Sequence, residues 1–297
     1  MAGNKAWLDT WSVGGTQMQA LCLRLRGIHV TESWTPPDGH PITEALARHL
    51  MASGYGEEMG RLTVSYCVPI FWSPATPPHG EILHNGTLTL VRTPKRLLGI
   101  TAEHVIAQAR ADSSNQALQI QMADAVVPDL LERVIASSAE LDLATIDIDD
   151  SILRAMHWPV SPMSLWPPKP PAKDRGVMLA GFPAASREIK RGGGIAWGPF
   201  YALGIARQIE SDQVTWLLSR EHLVQRPGTA PLPERLDLGG ISGGPYVALR
   251  ENASGLAVPR LAGIVSQAQN DFEYVVAKRA DYIFDDGTIA QSRDLSW

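Results

Sequence analysis

The residues best suited to chemistry in this 297-residue chain are a serine, a histidine and an aspartate, and the serine is the most conspicuous because glycine pairs flank it. Residues 239–245 read Gly-Gly-Ile-Ser-Gly-Gly-Pro. Glycines on both sides of Ser242 let the backbone turn tightly, expose the hydroxyl and aim neighbouring N–H groups at one point, as a nucleophile beside an oxyanion hole requires. The competing reading is a glycine-rich hairpin in which Ser242 caps a turn. A hydroxyl is a poor nucleophile until a base removes its proton, so the positions of histidine and acid along the chain discriminate between the two.

Gly240-Ile241-Ser242-Gly243-Gly244 satisfies the G-x-S-x-G pattern of a strand-to-helix elbow, in which acid and histidine follow the serine. No histidine follows Ser242, the last being His222, so that reading fails. The order histidine, acid, serine remains. Leu-Leu-Gly-Ile-Thr-Ala-Glu-His over residues 97–104 places His104 just after an apolar run in a Thr-Ala-x-His context, and Glu140-Leu141-Asp142-Leu143-Ala144 places Asp142 at the entrance to another. Each has a plainer reading. His104 could be a strand-to-helix residue bonded to backbone, and Asp142 could be one more solvated carboxylate beside Asp147, Asp149 and Asp150.

Taken together, Thr101-Ala102-x-His104, Asp142-Leu143-Ala144 and Gly240-x-Ser242-Gly243-Gly244-Pro245 resemble the motifs of the chymotrypsin/trypsin-like serine peptidase family. The resemblance runs from about residue 62 to residue 284, with Gly263-Ile264-Val265-Ser266 similar to the strand beside a bound peptide. It implies an all-β fold of two packed six-stranded antiparallel barrels, the first carrying His104 and Asp142 and the second Ser242. It further implies that Ser242 is the nucleophile and His104 the base and later the acid. Asp142 would fix the His104 tautomer, the amides of Gly240 and Ser242 would form the oxyanion hole, and no cofactor is needed. Substrate contacts are expected from Leu236, Asp237, Ser266, Gln267 and Ala268.

Two residues depart from the family pattern. The residue before the serine is Ile241, where activated zymogens hold an aspartate that pairs with a new N-terminus, and an apolar side chain cannot accept an ammonium. The residue six before Ser242, expected at the pocket floor, is Leu236, which disfavours cleavage after Lys or Arg, although Asp237 beside it keeps the register open. With Ala268 leaving the pocket wall small, a medium apolar residue before the cut bond is expected.

The elements that must position these groups read as follows. Residues 19–30 alternate Leu21, Leu23 and Leu25 against Arg24 and Arg26, the period of a half-buried strand. Pro41 opens a helical pattern through Ile42, Ala45, Leu46, His49 and Leu50, with Gly54 at its expected stop. Short apolar runs then follow, including LTVSYCVPIF from Leu62, GTLTLV, LLGIT, ALQIQM and LDLATIDI, and after residue 175 GVMLAGFPA, QVTWLL, GPYVAL and RLAGIVS. Runs of this length between turn residues predict strands. Six prolines between Trp158 and Arg175 predict a linker that cannot donate to a sheet ladder. The expected organisation is an accessory strand-helix segment over 1–60, a first barrel over 61–157, a linker over 158–175 and a second barrel over 176–297.

Composition narrows the function classes. Charged residues make up 19% and apolar residues 44%, with 26 Gly and 22 Pro, which fits a loop-rich globule and not a charged disordered chain. The 26 basic and 31 acidic residues give a net charge of −5, without the basic excess that a nucleic-acid surface needs. Cys22 and Cys67 are too few for a disulfide framework, no apolar run reaches membrane-spanning length and the N-terminus shows no secretory pattern, so a cytoplasmic protein is expected. Twenty arginines against six lysines hint at a GC-rich bacterial genome. No HExxH pair or cysteine spacing suggests a metal, and Lys190-Arg191 before three glycines lacks the phosphate-cradling pattern. The expected partner is a polypeptide substrate. The alternative is a signalling or binding module whose site stays silent until a protein partner, engaging residues 1–60, orders it.

Overall fold

The computed structural model describes residues 53–73, 83–114, 118–191, 194–206, 208–217, 237–251, 257–268 and 274–291. The chain divides into two compact units at Pro41/Ile42, and every described residue belongs to the second. The strand expected over 19–30 and the helical stretch through residues 42–50 lie outside the described residues.

The fold is mostly β, with few helices and two large antiparallel sheets. Strands β1 (Cys67–Trp72), β2 (His84–Arg92), β3 (Leu97–Thr101), β4 (Gln121–Met122), β5 (Ala125–Val126), β6 (Val134–Ser138) and β7 (Leu143–Ile148) form the first, in the order β5-β4-β1-β2-β3-β7-β6. The second is formed by β8 (Gly176–Gly181), β11 (Phe200–Ile205), β12 (Gln208–Ile209), β13 (Gln213–Leu217), β14 (Pro245–Glu251), β15 (Ala257–Ala268) and β16 (Tyr274–Arg279), in the order β11-β8-β14-β15-β16-β13-β12. β9 (Arg187–Ile189) and β10 (Ile195–Trp197) make a separate hairpin. Among the described residues each large sheet counts seven strands, and each includes at least one strand of only two residues.

Alternation along β2 explains how the sheets meet. Leu88 and Leu90, fully buried, point into the core of the first sheet with Val68, Ile70, Val105, Ile106 and Ile146. The alternate residues Thr87, Thr89 and Val91 are equally buried on the other face. Val91 joins a second core in which Leu98, Ile100, Leu141 and Leu143 pack with Met178, Val247, Leu261 and Ile264 of the second sheet. Full burial of one such aliphatic side chain contributes roughly 1.5–3 kcal/mol. The two threonines instead turn hydroxyls toward carbonyls of the serine loop, which would otherwise be buried without donors.

The run from Leu62 is not one strand. Residues 62–64 close helix α1 (Tyr55–Val64), and the strand begins only at Cys67. The helix buries Gly56, Met59, Gly60 and Thr63, an i, i+3, i+4, i+7 face, against β8 and β11. A Cβ at Gly60 would lie 2.2 Å from the Tyr201 ring, so only glycine permits this approach. A face of two glycines, a threonine and a single large apolar residue, Met59, does not stand out as an apolar stripe in the sequence. The expected domain boundary at residue 60 falls inside this helix.

The proline-rich stretch forms no helix or named strand, consistent with its missing N–H groups. It is nonetheless tied down on both sides. Met163 bridges to Val91, Ser161 N donates to Ser65 O at 2.8 Å and Lys169 N donates to Leu261 O at 2.9 Å. Among the described residues no helix is long and apolar enough to cross a membrane.

Candidate active site

His104 is the second residue of helix α2 (Glu103–Ser113), which starts directly after β3. The N-cap residue, Ala102, offers no side-chain oxygen to the orphan amides of the first turn. Asp142, 38 residues away, supplies one: its Oδ1 accepts from the His104 backbone N at 3.0 Å. The same carboxylate holds the ring, with His104 Nδ1 at 2.9 Å from Oδ2 and 3.0 Å from Oδ1. A carboxylate that caps a helix and grips a ring on its first turn fixes both the ring position and which nitrogen faces the acid.

Asp142 adopts φ 47°, the left-handed region that non-glycine residues seldom occupy, just before β7 begins. Such a conformation costs on the order of 1–3 kcal/mol and persists where surrounding bonds over-determine it. Here they come from His104 and from Ser266, whose Oγ donates a short hydrogen bond to Asp142 Oδ2. Burial alone would raise the Asp142 carboxyl, but the hydrogen bonds from the His104 ring, the Ser266 hydroxyl and the His104 amide hold it below the ordinary carboxylate range. The hydrogen bond to Asp142 raises His104 above the ordinary imidazole value despite partial burial. Half of the His104 side chain is open to solvent against 17% of Asp142, so the acid is the better covered of the pair.

Ser266 reaches Asp142 because β15 is irregular there. Its pairing with β16 shifts between Val265 and Gln267, and a bulge re-aims the side chain it carries. Ser266 is 2% exposed, and its carbonyl accepts from Ser242 Oγ at 3.1 Å. Ser266 therefore links Asp142 and Ser242, so the histidine, aspartate and serine singled out in the sequence lie in one connected set. Among the described residues no hydrogen bond joins Ser242 to His104; the serine hydroxyl points to Ser266 O instead.

The loop carrying Ser242 is held plane by plane. Gly240 and Gly243 sit at φ 98° and 93°. Ile241 N donates to Leu238 O at 3.1 Å, Gly243 N to Val265 O at 2.7 Å and Gly244 N to Ile241 O at 2.8 Å. The carbonyls of residues 239, 240, 242 and 243 accept from Ala184 N, Thr87 Oγ1, Thr87 N and Thr89 Oγ1. Among the described residues the amides of Gly240 and Ser242 alone within 239–244 have no acceptor. Two donors without acceptors, the serine's own amide and that of the glycine two residues before it, can stabilise a developing oxyanion. Ile241 is buried at 1% exposure against Gly181, in the core of the second sheet.

The expected substrate contacts separate. Leu236 lies outside the described residues. Asp237 is exposed, and its Oδ1 accepts from Gly239 N at 2.8 Å, so it shapes the turn into the loop. Gln267 is exposed and Ala268 is half-buried against the core of the second sheet. Gln267 and Ala268 pair with β16 on one edge beyond the bulge at Ser266, while pairing of β15 with β14 ends at Ile264, leaving the other edge of 266–268 without a strand among the described residues. A cavity of about 400 Å³ adjoins Ser266 and Gln267 and is lined also by Gln213, Thr215, Val276 and Lys278. The site residues that sequence reasoning missed are Thr87 and Thr89, whose only signal is the alternation in Gly-Thr-Leu-Thr-Leu-Val, and the role of the Ser266 hydroxyl.

Away from this set, Cys67 is fully buried and its thiol is pushed far up by burial, which removes it as a nucleophile. Among the described residues no group of three His, Cys, Asp or Glu side chains could hold a metal ion.

No protein-family model matches the sequence, and no curated protein matches it. Among solved structures, the chain is similar to a thermostable serine protease from an extremophilic microorganism, at 14% identity and a TM-score of 0.40, covering 73% of this chain and 91% of that one. It is also similar to a chain from work on how aromatic interactions drive the coupled folding and binding of the intrinsically disordered Sesbania mosaic virus VPg protein. There the identity is 14% and the TM-score 0.39, covering 74% of this chain and 94% of that one.

Proposed function

We propose that the protein is a serine endopeptidase built on two packed β-barrels, acting through an acyl-enzyme on Ser242. The observation that carries this reading is the double engagement of Ser266, whose hydroxyl bonds the acid that holds His104 and whose carbonyl bonds the serine hydroxyl. In the proposed cycle the Ser242 side chain turns from Ser266 O toward His104 Nε2. His104 then takes its proton as Oγ attacks the peptide carbonyl. The acid keeps Nδ1 protonated and stabilises the imidazolium. The oxyanion settles on the amides of Gly240 and Ser242, each such donor contributing about 10²–10³ in turnover. His104 next protonates the leaving amine, and water attacks the ester by the reverse sequence.

The edge of residues 266–268 that no strand covers among the described residues suits an extended peptide added as a strand, which gives affinity without strong sequence preference. A medium apolar residue before the cut bond remains the proposed preference, since Asp237 is exposed and engaged by the Gly239 amide. We place the protein in the cytoplasm, where it would act on a polypeptide.

One observation favours a second reading, a partner-regulated module with a silent site: the serine hydroxyl is engaged by Ser266 O and not by His104. Incubating the purified protein, and its Ser242→Ala variant, with casein and with a mixed peptide library separates the two. The peptidase reading predicts cleavage by the parent alone. Absence of cleavage without a partner, with cleavage restored on adding one, supports the regulated module.

A further inference from the structure

We infer that Thr87, on a strand of the first sheet, is the positioning residue that sets the oxyanion-binding amides on the serine loop beside the second. The catalytic consequence rests on the peptidase reading, while the geometric role stands without it. Thr87 is fully buried, and four hydrogen bonds converge on it. Its N donates to Ser242 O at 2.8 Å and its Oγ1 donates to Gly240 O at 2.9 Å. That Oγ1 accepts from Phe182 N at 3.0 Å, and its carbonyl accepts from Thr101 Oγ1 at 2.8 Å. Thr101 lies three residues before His104, so this one residue ties the turn that carries the imidazole to two peptide planes of the serine loop.

Planar peptides transmit that hold. The plane between residues 240 and 241 is tied at its carbonyl by Thr87 and at its N–H by Leu238 O. The plane between 242 and 243 is tied at its carbonyl by Thr87 N and at its N–H by Val265 O. With the planes on either side fixed, the intervening plane, which carries the free Ser242 N–H, has little rotation left. The free Gly240 N–H sits one bond from the first tied plane.

Gly240 cannot supply the restraint itself. It stands at φ 98° without a Cβ, and a Cβ there would lie 2.1 Å from Asn85 Nδ2, so a stiffer residue is excluded. The hold must come from outside the loop, and it must accept from Phe182 N while donating to Gly240 O. A hydroxyl does both; the isosteric valine does neither. The Thr89 hydroxyl, equally buried, makes a single bond, to Gly243 O, and touches neither plane next to the free amides, which makes Thr89 the natural control.

The test compares Thr87→Val, Thr87→Ser and Thr89→Val in the full chain by crystal structure, thermal denaturation and the rate of fluorophosphonate labelling against pH. In T87V the plane between residues 240 and 241 turns and the Gly240 amide leaves the serine. Labelling falls about 100-fold, the value of one oxyanion donor, with the pH midpoint set by His104 unmoved. T87S retains parent geometry and rate, and T89V loses thermal stability comparable to T87V but less than about tenfold in rate. Should T87V not fold, Thr87→Ala, which leaves room for about one water, carries the same test. A folded T87V with an unchanged loop, or one whose rate loss merely matches that of T89V, overturns the role. A parent protein that takes no label, with a loop that still turns in T87V, overturns the peptidase reading and supports the positioning role.

Discussion

Replacing Asp142 by asparagine removes one charge and leaves the side chain nearly isosteric, which isolates what the carboxylate does. The acid accepts three hydrogen bonds, from the His104 ring at 2.9 Å, from the His104 amide at 3.0 Å and from the Ser266 hydroxyl. An amide has one acceptor oxygen, which can accept at most two of the three, so at least one is lost. Charge-assisted bonds contribute about 1.5–3 kcal/mol. Because half of the His104 ring meets solvent, the low end applies, and about 1.5 kcal/mol corresponds to roughly tenfold in rate. The larger effect is the tautomer. If the asparagine NH₂ faces Nδ1, the ring proton moves to Nε2, and the nitrogen that should accept the serine proton no longer can. In the serine-protease case used to teach this chemistry, the same change costs about 10⁴ in turnover. We therefore expect D142N to lower the second-order rate of fluorophosphonate labelling by about 10³–10⁴ while retaining the fold. Labelling within about threefold of the parent, with a circular dichroism spectrum unchanged, would refute the role given to this carboxylate.

Further outcomes follow from the same geometry. His104 is raised above its ordinary value and must be neutral to act as a base, so labelling should be lost as pH falls through that raised value and be complete above it. An NMR titration of the ring should give a midpoint above about 6.5, falling in D142N, and a midpoint at or below that value contradicts the ion pair. Gly243→Ala should lower the thermal midpoint sharply, since a Cβ there would lie 1.9 Å from Thr87 O at φ 93°. The cost is about 2–5 kcal/mol, and a parent-like melting temperature refutes the packing described. Mass spectrometry of the active protein should show no obligatory cut near residue 60. That position lies inside α1, and Ile241 is buried where a new N-terminus would need an acid, so activity appearing only after such a cut contradicts this expectation.

Much of the candidate site was legible because its residues sit at boundaries that sequence marks clearly. His104 follows an apolar β3, Asp142 precedes an apolar β7 and Ser242 stands among glycines, two of which do take positive φ. What stayed hidden depends on contacts between distant segments. Thr87 and Thr89 look like ordinary strand threonines until the second sheet brings carbonyls to them. The Ser266 hydroxyl reaches Asp142 only because a bulge in β15 turns it, and no periodicity announces a bulge. Helix α1 escaped because its buried face is Gly, Met, Gly and Thr, while Leu62 to Val64 carry the β-branched character of a strand. The prolines over 158–175 suggested a linker, and the stretch forms no helix or named strand. They could not disclose that Met163 and Lys169 anchor it to opposite halves.

The central claim is that Ser242 is an activated nucleophile facing the two free amides. The most direct measurement is the stoichiometry and position of a fluorophosphonate adduct on the isolated protein, read by intact-mass and peptide mass spectrometry. The account predicts one phosphonyl group per chain, located on Ser242, absent in Ser242→Ala and absent after acid denaturation. Ser242→Ala should itself fold normally, because the hydroxyl makes one hydrogen bond, to Ser266 O, whose loss costs about 1 kcal/mol. An adduct on another residue, or none on the folded protein at a pH where His104 is neutral, would contradict the account.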